Sequence, residues 1–323
     1  MNFTKTPKTF LDQIALLKSR GLKIEDDGRA LHHLSNISYY RLSAYLLSFQ
    51  KFNDPTHTYM PWASFNRVMR LYVYDRELRG VLLDAIERIE VALRCRIVYE
   101  YCHLHGINWY ENSSLFLRQH SKFMSLVNAE LRGSKEKFIQ HYFTKYTNPI
   151  NPPAWMAMEV LSFGQLSTMF KNLKTGPAKK AVASYFGISH VILESWMEHL
   201  VYIRNLCAHH SRVWNRIMTV TATVPNTTTY QWISNPPSKP DKIYTTACIL
   251  AYLLERVTLK ATFYGKMKTL VNRFPEIDMN ASGFPKNWDN DPFWSRLYIP
   301  LTHQIRVAVF RYRNILIRQR KLT

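Results

Sequence analysis

Leu78, Leu82, Ile86, Ile89, Leu93 and Ile97 recur at steps of four, four, three, four and four, and this run constrains the fold more than any other feature of the chain. Such spacing places every apolar residue on one stripe of an α-helix and does not fit the alternation of a strand. Asp84 with Arg88 and Glu90 with Arg94 stand four apart, in the order that supports a helix by about 0.2–0.5 kcal/mol per pair. We read these charges as a solvated helix face. Burial of Glu90 or Arg94 would speak for a catalytic role instead.

A second stripe, Ile192, Trp196, Leu200, Ile203 and Cys207, steps by four, four, three and four. With hydrophobic content at 46% and only 10 glycines in 323 residues, the chain reads as globular and mainly α-helical. Its length buries a core as one large domain or two modest ones, with no need of a disulfide or metal staple. Short helices are expected from Lys8 to about Gln50, broken near Gly21-Leu22 and Asn36, with Pro55 and Pro61 marking a loop. Pro149, Pro152 and Pro153 break the chain again before a helix from Ser162. Gly176-Pro177 and Gly187 punctuate the chain beyond that helix. The run TVTATV at 219–224 allows a short strand inside a loop that reaches about Pro240, and one helix is expected from about Tyr244 to Leu270. The division is then an N-terminal helical region at 1–60, a helical domain at 61–290 and a basic tail at 291–323.

Several function classes are disfavoured at once. The opening apolar run contains Asp12 and Gln13, unlike a signal peptide, and no later run is long enough to span a bilayer. We expect a cytoplasmic protein with no membrane partner. Cys95, Cys102, Cys207 and Cys248 have no paired spacing and read as reduced thiols in core positions. His103 and His105 beside Cys102 lack further convergent ligands, so no metal and no small-molecule cofactor is expected.

Lys and Arg number 43 against 23 acids, a formal net charge of +20. That excess favours binding to a polyanion, of which nucleic acid is the commonest in a cytoplasm. From Trp294 onward the chain carries many cations and no acid. Arg311, Arg313, Arg318 and Arg320 stand there among the rings Phe310 and Tyr312, a pattern suited to phosphates and stacked bases.

The chemistry concentrates in RNLCAHHSRVWNR, residues 204–216. Continued as a helix, this run sets Glu198, Asn205, His209, Arg212 and Arg216 on a stripe roughly 200° from the apolar one. Imidazole, amide and guanidinium suit cleavage of a phosphodiester by its own neighbouring 2′-hydroxyl. The imidazole takes the hydroxyl proton or protonates the leaving oxygen, and a guanidinium holds the charge gathering on phosphorus. RNA brings the nucleophile itself, so no metal is required.

The spacing Arg204, Asn205, His209 resembles the Arg-x4-His signature of HEPN-domain ribonucleases. The longer AHHSRVWNR resembles the AbiD/AbiF branch of bacterial abortive-infection proteins. So do RGLKI at 20–24, SYYRLSAY at 38–45, DRELRGVLLDAIERIEVALR at 75–94 and GFPKNW at 283–288; together they cover most of residues 7–290. Ala44 departs from a place where that family often has glycine. The resemblance implies a HEPN-like helical bundle with additional N-terminal helices. It also implies a role in phage defence and metal-independent RNA cleavage by a homodimer, with a structured non-coding RNA as restraining partner. Arg204 and His209 carry over as catalytic and Asn205 as orienting, while His210, Arg212, Asn215 and Arg216 are assigned to RNA contacts. Some HEPN proteins keep the fold without cleavage, which leaves a non-catalytic RNA-binding module in a defence complex as the alternative.

Overall fold

The computed structural model describes residues 2, 6–237, 240–259 and 262–295. Among them the chain forms thirteen α-helices and no strand. They are α1 (Phe10–Ser19), α2 (Asp27–Ile37), α3 (Tyr39–Leu46), α4 (Phe65–His105), α5 (His120–Gly133), α6 (Lys137–Lys145), α7 (Ala154–Ala157), α8 (Phe163–Asn172), α9 (Pro177–Tyr185), α10 (His190–Ala208), α11 (Ile243–Val257), α12 (Thr262–Arg273) and α13 (Pro292–Ser295). Two compact units result, one of Met1–Arg79 with Leu270–Ile277 and one of Gly80–Thr269 with Asp278–Thr323, and α4 contributes residues to both.

In the first unit the helices start where local caps allow. Thr9 accepts from Asp12 N–H while Asp12 bonds back to Thr9, a capping box that opens α1. Tyr45 of α3 donates to Asp75 of α4 at 2.7 Å, and Arg79 pairs with the same carboxylate. All three side chains are buried. Burial, then the charge of Asp75, pushes the Tyr45 phenol well up, so it remains a donor. This triad joins SYYRLSAY to DRELRG in space.

In the second unit the α4 stripe behaves as its spacing requires: Leu82, Ile86, Ile89, Leu93 and Ile97 are fully buried. Asp84 and Arg88 form the expected half-exposed pair at 2.6 Å. Arg94 does not lie on a solvated face. It is buried, bonds Glu90 at 2.9 Å, and donates to the carbonyls of Leu161, at 2.9 Å, and Met158. Met158 O also accepts the Leu161 N–H, so Arg94 ties α4 to this short turn through both carbonyls, and its burial, expected to signal catalysis, is accounted for by chain packing.

A capping box of Ser162 and Gln165 starts α8, and Pro177 in the first turn starts α9. Lys179 of α9 is 2% exposed, and its ammonium bonds Leu173 O at 2.6 Å and Glu194 of α10 at 2.8 Å. In α10 the stripe Trp196, Leu200, Ile203 and Cys207 is buried and Ile192 is half-buried. α11 is buried all round from Ile243 to Leu254, as a central core helix must be. His199 of α10 is fully buried between Val220 O, 2.7 Å from Nδ1, and the Thr246 hydroxyl of α11, 2.8 Å from Nε2. Its burial holds the imidazole below the usual histidine range.

Three expectations are corrected here. TVTATV forms no strand, because α10 side chains take its backbone groups: Trp196 Nε1 donates to Thr223 O at 2.9 Å, and Thr223 N–H donates to Ser195 at 2.9 Å. The single helix from Tyr244 to Leu270 is two, since the backbone turns extended at Thr258. Of the cysteines only Cys207 and Cys248 fill the core, whereas Cys95 is exposed and Cys102 half-buried. No helix of the described residues is long and apolar enough to cross a membrane.

Candidate active site

Helix α10 carries the candidate residues, and how it ends decides their placement. The sequence expectation that the helix runs on through Arg212 and Arg216 fails. The last helical residue is Ala208, and His209 is the cap, its N–H still bonded to Asn205 O at 2.9 Å. His210 then turns left-handed at φ 57°. Its N–H bonds Cys207 O at 3.0 Å and Ser211 N–H bonds Leu206 O at 2.8 Å. This is a Schellman closure with histidine where glycine is usual, and it satisfies the carbonyls left over at the helix end.

Beyond the closure the chain packs as a loop. Val213 and Trp214 are buried, and Trp214 Nε1 donates to Asp278 O at 3.2 Å. Asn215, left-handed at φ 48°, donates its N–H to Ser282 at 3.2 Å and accepts from Lys242 Nζ at 3.1 Å. A Cβ at Gly283, where φ is 85°, would stand 2.6 Å from Lys242 Cβ, so the first residue of GFPKNW must be glycine. Phe284 and Trp288 of the same motif pack edge to face, with Phe284 against Tyr244. The loop after α10 is thereby strapped down by residues far along the sequence.

The site residues separate into two groups. Arg204, Asn205, His209 and His210 are exposed, and Arg204 donates to Asn205 Oδ1 at 3.1 Å. The His209 ring makes no hydrogen bond among the described residues. Arg212, Asn215 and Arg216 are half-buried in the loop, with Asn215 used to hold it. Arg311, Arg313, Arg318 and Arg320 lie outside the described residues. No group of three or more His, Cys, Asp or Glu side chains among the described residues is arranged to hold a metal ion.

One residue escaped the sequence reading. Tyr202 shares the face of Asn205 and His209, three and seven positions before them. Thr219 N–H donates to its hydroxyl at 3.4 Å and Arg216 lies beside it. Burial raises the Tyr202 phenol, but the bonds from Thr219 and Arg216 outweigh it and the net direction is down. Its spacing from His209 was the available signal.

Residues 32–215 match the model of a family described as Abi-like protein. The chain belongs to this family. The Abi-like proteins are an abortive-infection family of anti-phage defence, and the AbiD/AbiF resemblance is the same assignment. The matched span holds more than half of the chain and ends on Asn215, so it includes the whole exposed group of this Abi-like chain. RGLKI, Arg216 and GFPKNW fall outside it. No curated relative and no solved structure matches the chain.

Proposed function

We propose that this Abi-like chain is a HEPN-type, metal-independent endoribonuclease that acts as an RNA toxin in abortive infection, cuts as a homodimer and is restrained by a structured non-coding RNA. The carrying observation is the exposed Arg204–Asn205 pair one turn before an exposed imidazole, at the end of α10, that makes no hydrogen bond among the described residues. An imidazole held on a rigid, capped helix end is open to a substrate. His209 takes the 2′-hydroxyl proton or protonates the leaving 5′-oxygen, and Arg204 holds the charge that builds on the phosphoryl oxygens. Asn205, bonded to Arg204, fixes the guanidinium. The half-buried Arg212 and Arg216, with His210, supply phosphate contacts in keeping with the net charge of +20.

Helix geometry supports the dimer. Because the backbone register holds through His209, Arg204 and His209 sit about 140° apart around the axis. One chain does not aim both at one phosphate, and two helices across a two-fold axis bring the arginine of one chain to the histidine of its mate.

Purified protein is incubated with RNA in EDTA, and the new ends are analysed. Cleavage leaving 2′,3′-cyclic phosphates, lost in His209→Ala, is expected. Binding without cleavage points to the RNA-binding module instead. Activity lost on chelation and restored by magnesium or zinc overturns the metal-independent route.

A further inference from the structure

The face of α10 that bears His209 extends well beyond the site. Counting back, Asn205, Val201, Glu198 and Glu194 come at steps of four, four, three and four, one stripe of the helix. α8 lies along it: a Cβ at Gly164 would stand 3.6 Å from Val201 Cγ1, and Lys171 pairs with Glu198 at 2.7 Å. At the Glu194 end a cleft of about 750 Å³ opens within the second unit, between the start of α5, α8 and α10.

The lining is of two kinds. Phe123, Leu126 and Met169 give an apolar wall. Arg118 and Lys122, both exposed, stand at the rim and make no ion pair among the described residues. The one carboxylate of the lining, Glu194, is neutralised by Lys179 at 2.8 Å. The Thr168 hydroxyl donates to Gly164 O at 2.9 Å, which leaves its oxygen able to accept, and Gln119 adds an amide to the lining. An apolar wall with unpaired cations at its edge suits a flat heteroaromatic ring that carries phosphates, and the volume falls within the roughly 300–1,000 Å³ of small-molecule sites.

We propose that this cleft binds one nucleotide of single-stranded RNA, with its base against Phe123 and Leu126 and the phosphates on either side on Arg118 and Lys122. The proposal rests on the reading that the chain handles RNA. From Glu194 to His209 the helix rises roughly 22 Å, so the held nucleotide lies several positions from the cut. The cleft therefore anchors the strand and leaves the reacting phosphate to Arg204 and His209. Its loss raises KM and spares kcat.

The test uses the full chain with His209→Ala, which does not cut, and a fluorescein-labelled single-stranded RNA of about ten nucleotides. Adding Arg118→Gln with Lys122→Gln is expected to lower the slope of log Kd against log salt by about 1.4, two phosphates at ~0.7 each. Phe123→Ala is expected to weaken binding about tenfold with the slope unchanged. Because Phe123 is half-buried, an RNA carrying 4-thiouridine is also photo-crosslinked to the His209→Ala chain without further change, and the adduct is expected on α5. In the cutting chain the two rim substitutions raise KM about tenfold at constant kcat. RNA bound and cut with an unchanged slope, and adducts only elsewhere, overturns the cleft and leaves the nuclease standing. A wild-type chain that binds no RNA overturns both.

Discussion

Mixing two inactive chains, Arg204→Ala and His209→Ala, tests the shared site of the dimer. Both residues are exposed; Arg204 gives up one 3.1 Å bond to its neighbour's amide, and His209 gives up no side-chain bond among the described residues. Each substitution should therefore cost less than about 0.5 kcal/mol of stability, with a melting temperature moved by less than ~2 °C. The rate responds on another scale, falling ~10²–10⁴-fold without the acid–base group and ~10²–10³-fold without the charge stabiliser. Where each site takes arginine from one chain and histidine from the other, a mixed dimer holds one intact site and one doubly defective site. Random exchange of equal amounts makes about half of the dimers mixed, so activity should recover to about a quarter of the wild-type value per chain. The assay is cleavage of a quenched fluorescent RNA after subunit exchange, with native mass spectrometry to count mixed dimers. Mixed dimers without recovery refute the shared site, and so does a monomer at concentrations where RNA is cut.

Lys179→Met removes one partner of a nearly closed-off ion pair and should cost about 3–5 kcal/mol in urea unfolding, part of it regained when Glu194→Gln is added. A loss within ~0.5 kcal/mol would show that the Lys179–Glu194 pair does not hold α9 to α10. Tyr45→Phe takes a 2.7 Å donor from the buried Asp75 carboxylate, for which an unfolding free energy lower by about 1–3 kcal/mol is expected. The His199 imidazole is held below its ordinary value of 6.5 by burial, so near and below that pH the unfolded chain binds the extra proton. Stability from this group is full above about pH 6.5 and is lost as pH falls toward its lowered folded value. The difference in unfolding free energy between wild type and His199→Gln should shrink over that window, and a constant difference would contradict the assignment.

The helices themselves were legible without a structure. A 3.6-residue period is a local property, and Leu82 to Ile97 and Trp196 to Cys207 are buried as their spacing demands. The residue types at Arg204, Asn205 and His209 were equally plain, since their chemistry needs no partner to be recognised. Where α10 stops was not legible, because no glycine or proline marks the place. It stops where Trp214 and Asn215 find Asp278, Ser282 and Lys242, residues distant in sequence that make the left-handed turn at His210 worth its cost. Arg94 looked like half of a surface pair until the carbonyls of Met158 and Leu161 came to it. TVTATV alternates like a strand, yet α10 side chains had already taken its backbone groups. Periodicity belongs to one segment, whereas burial, helix ends and clefts belong to pairs of segments, and only the folded chain brings those pairs together.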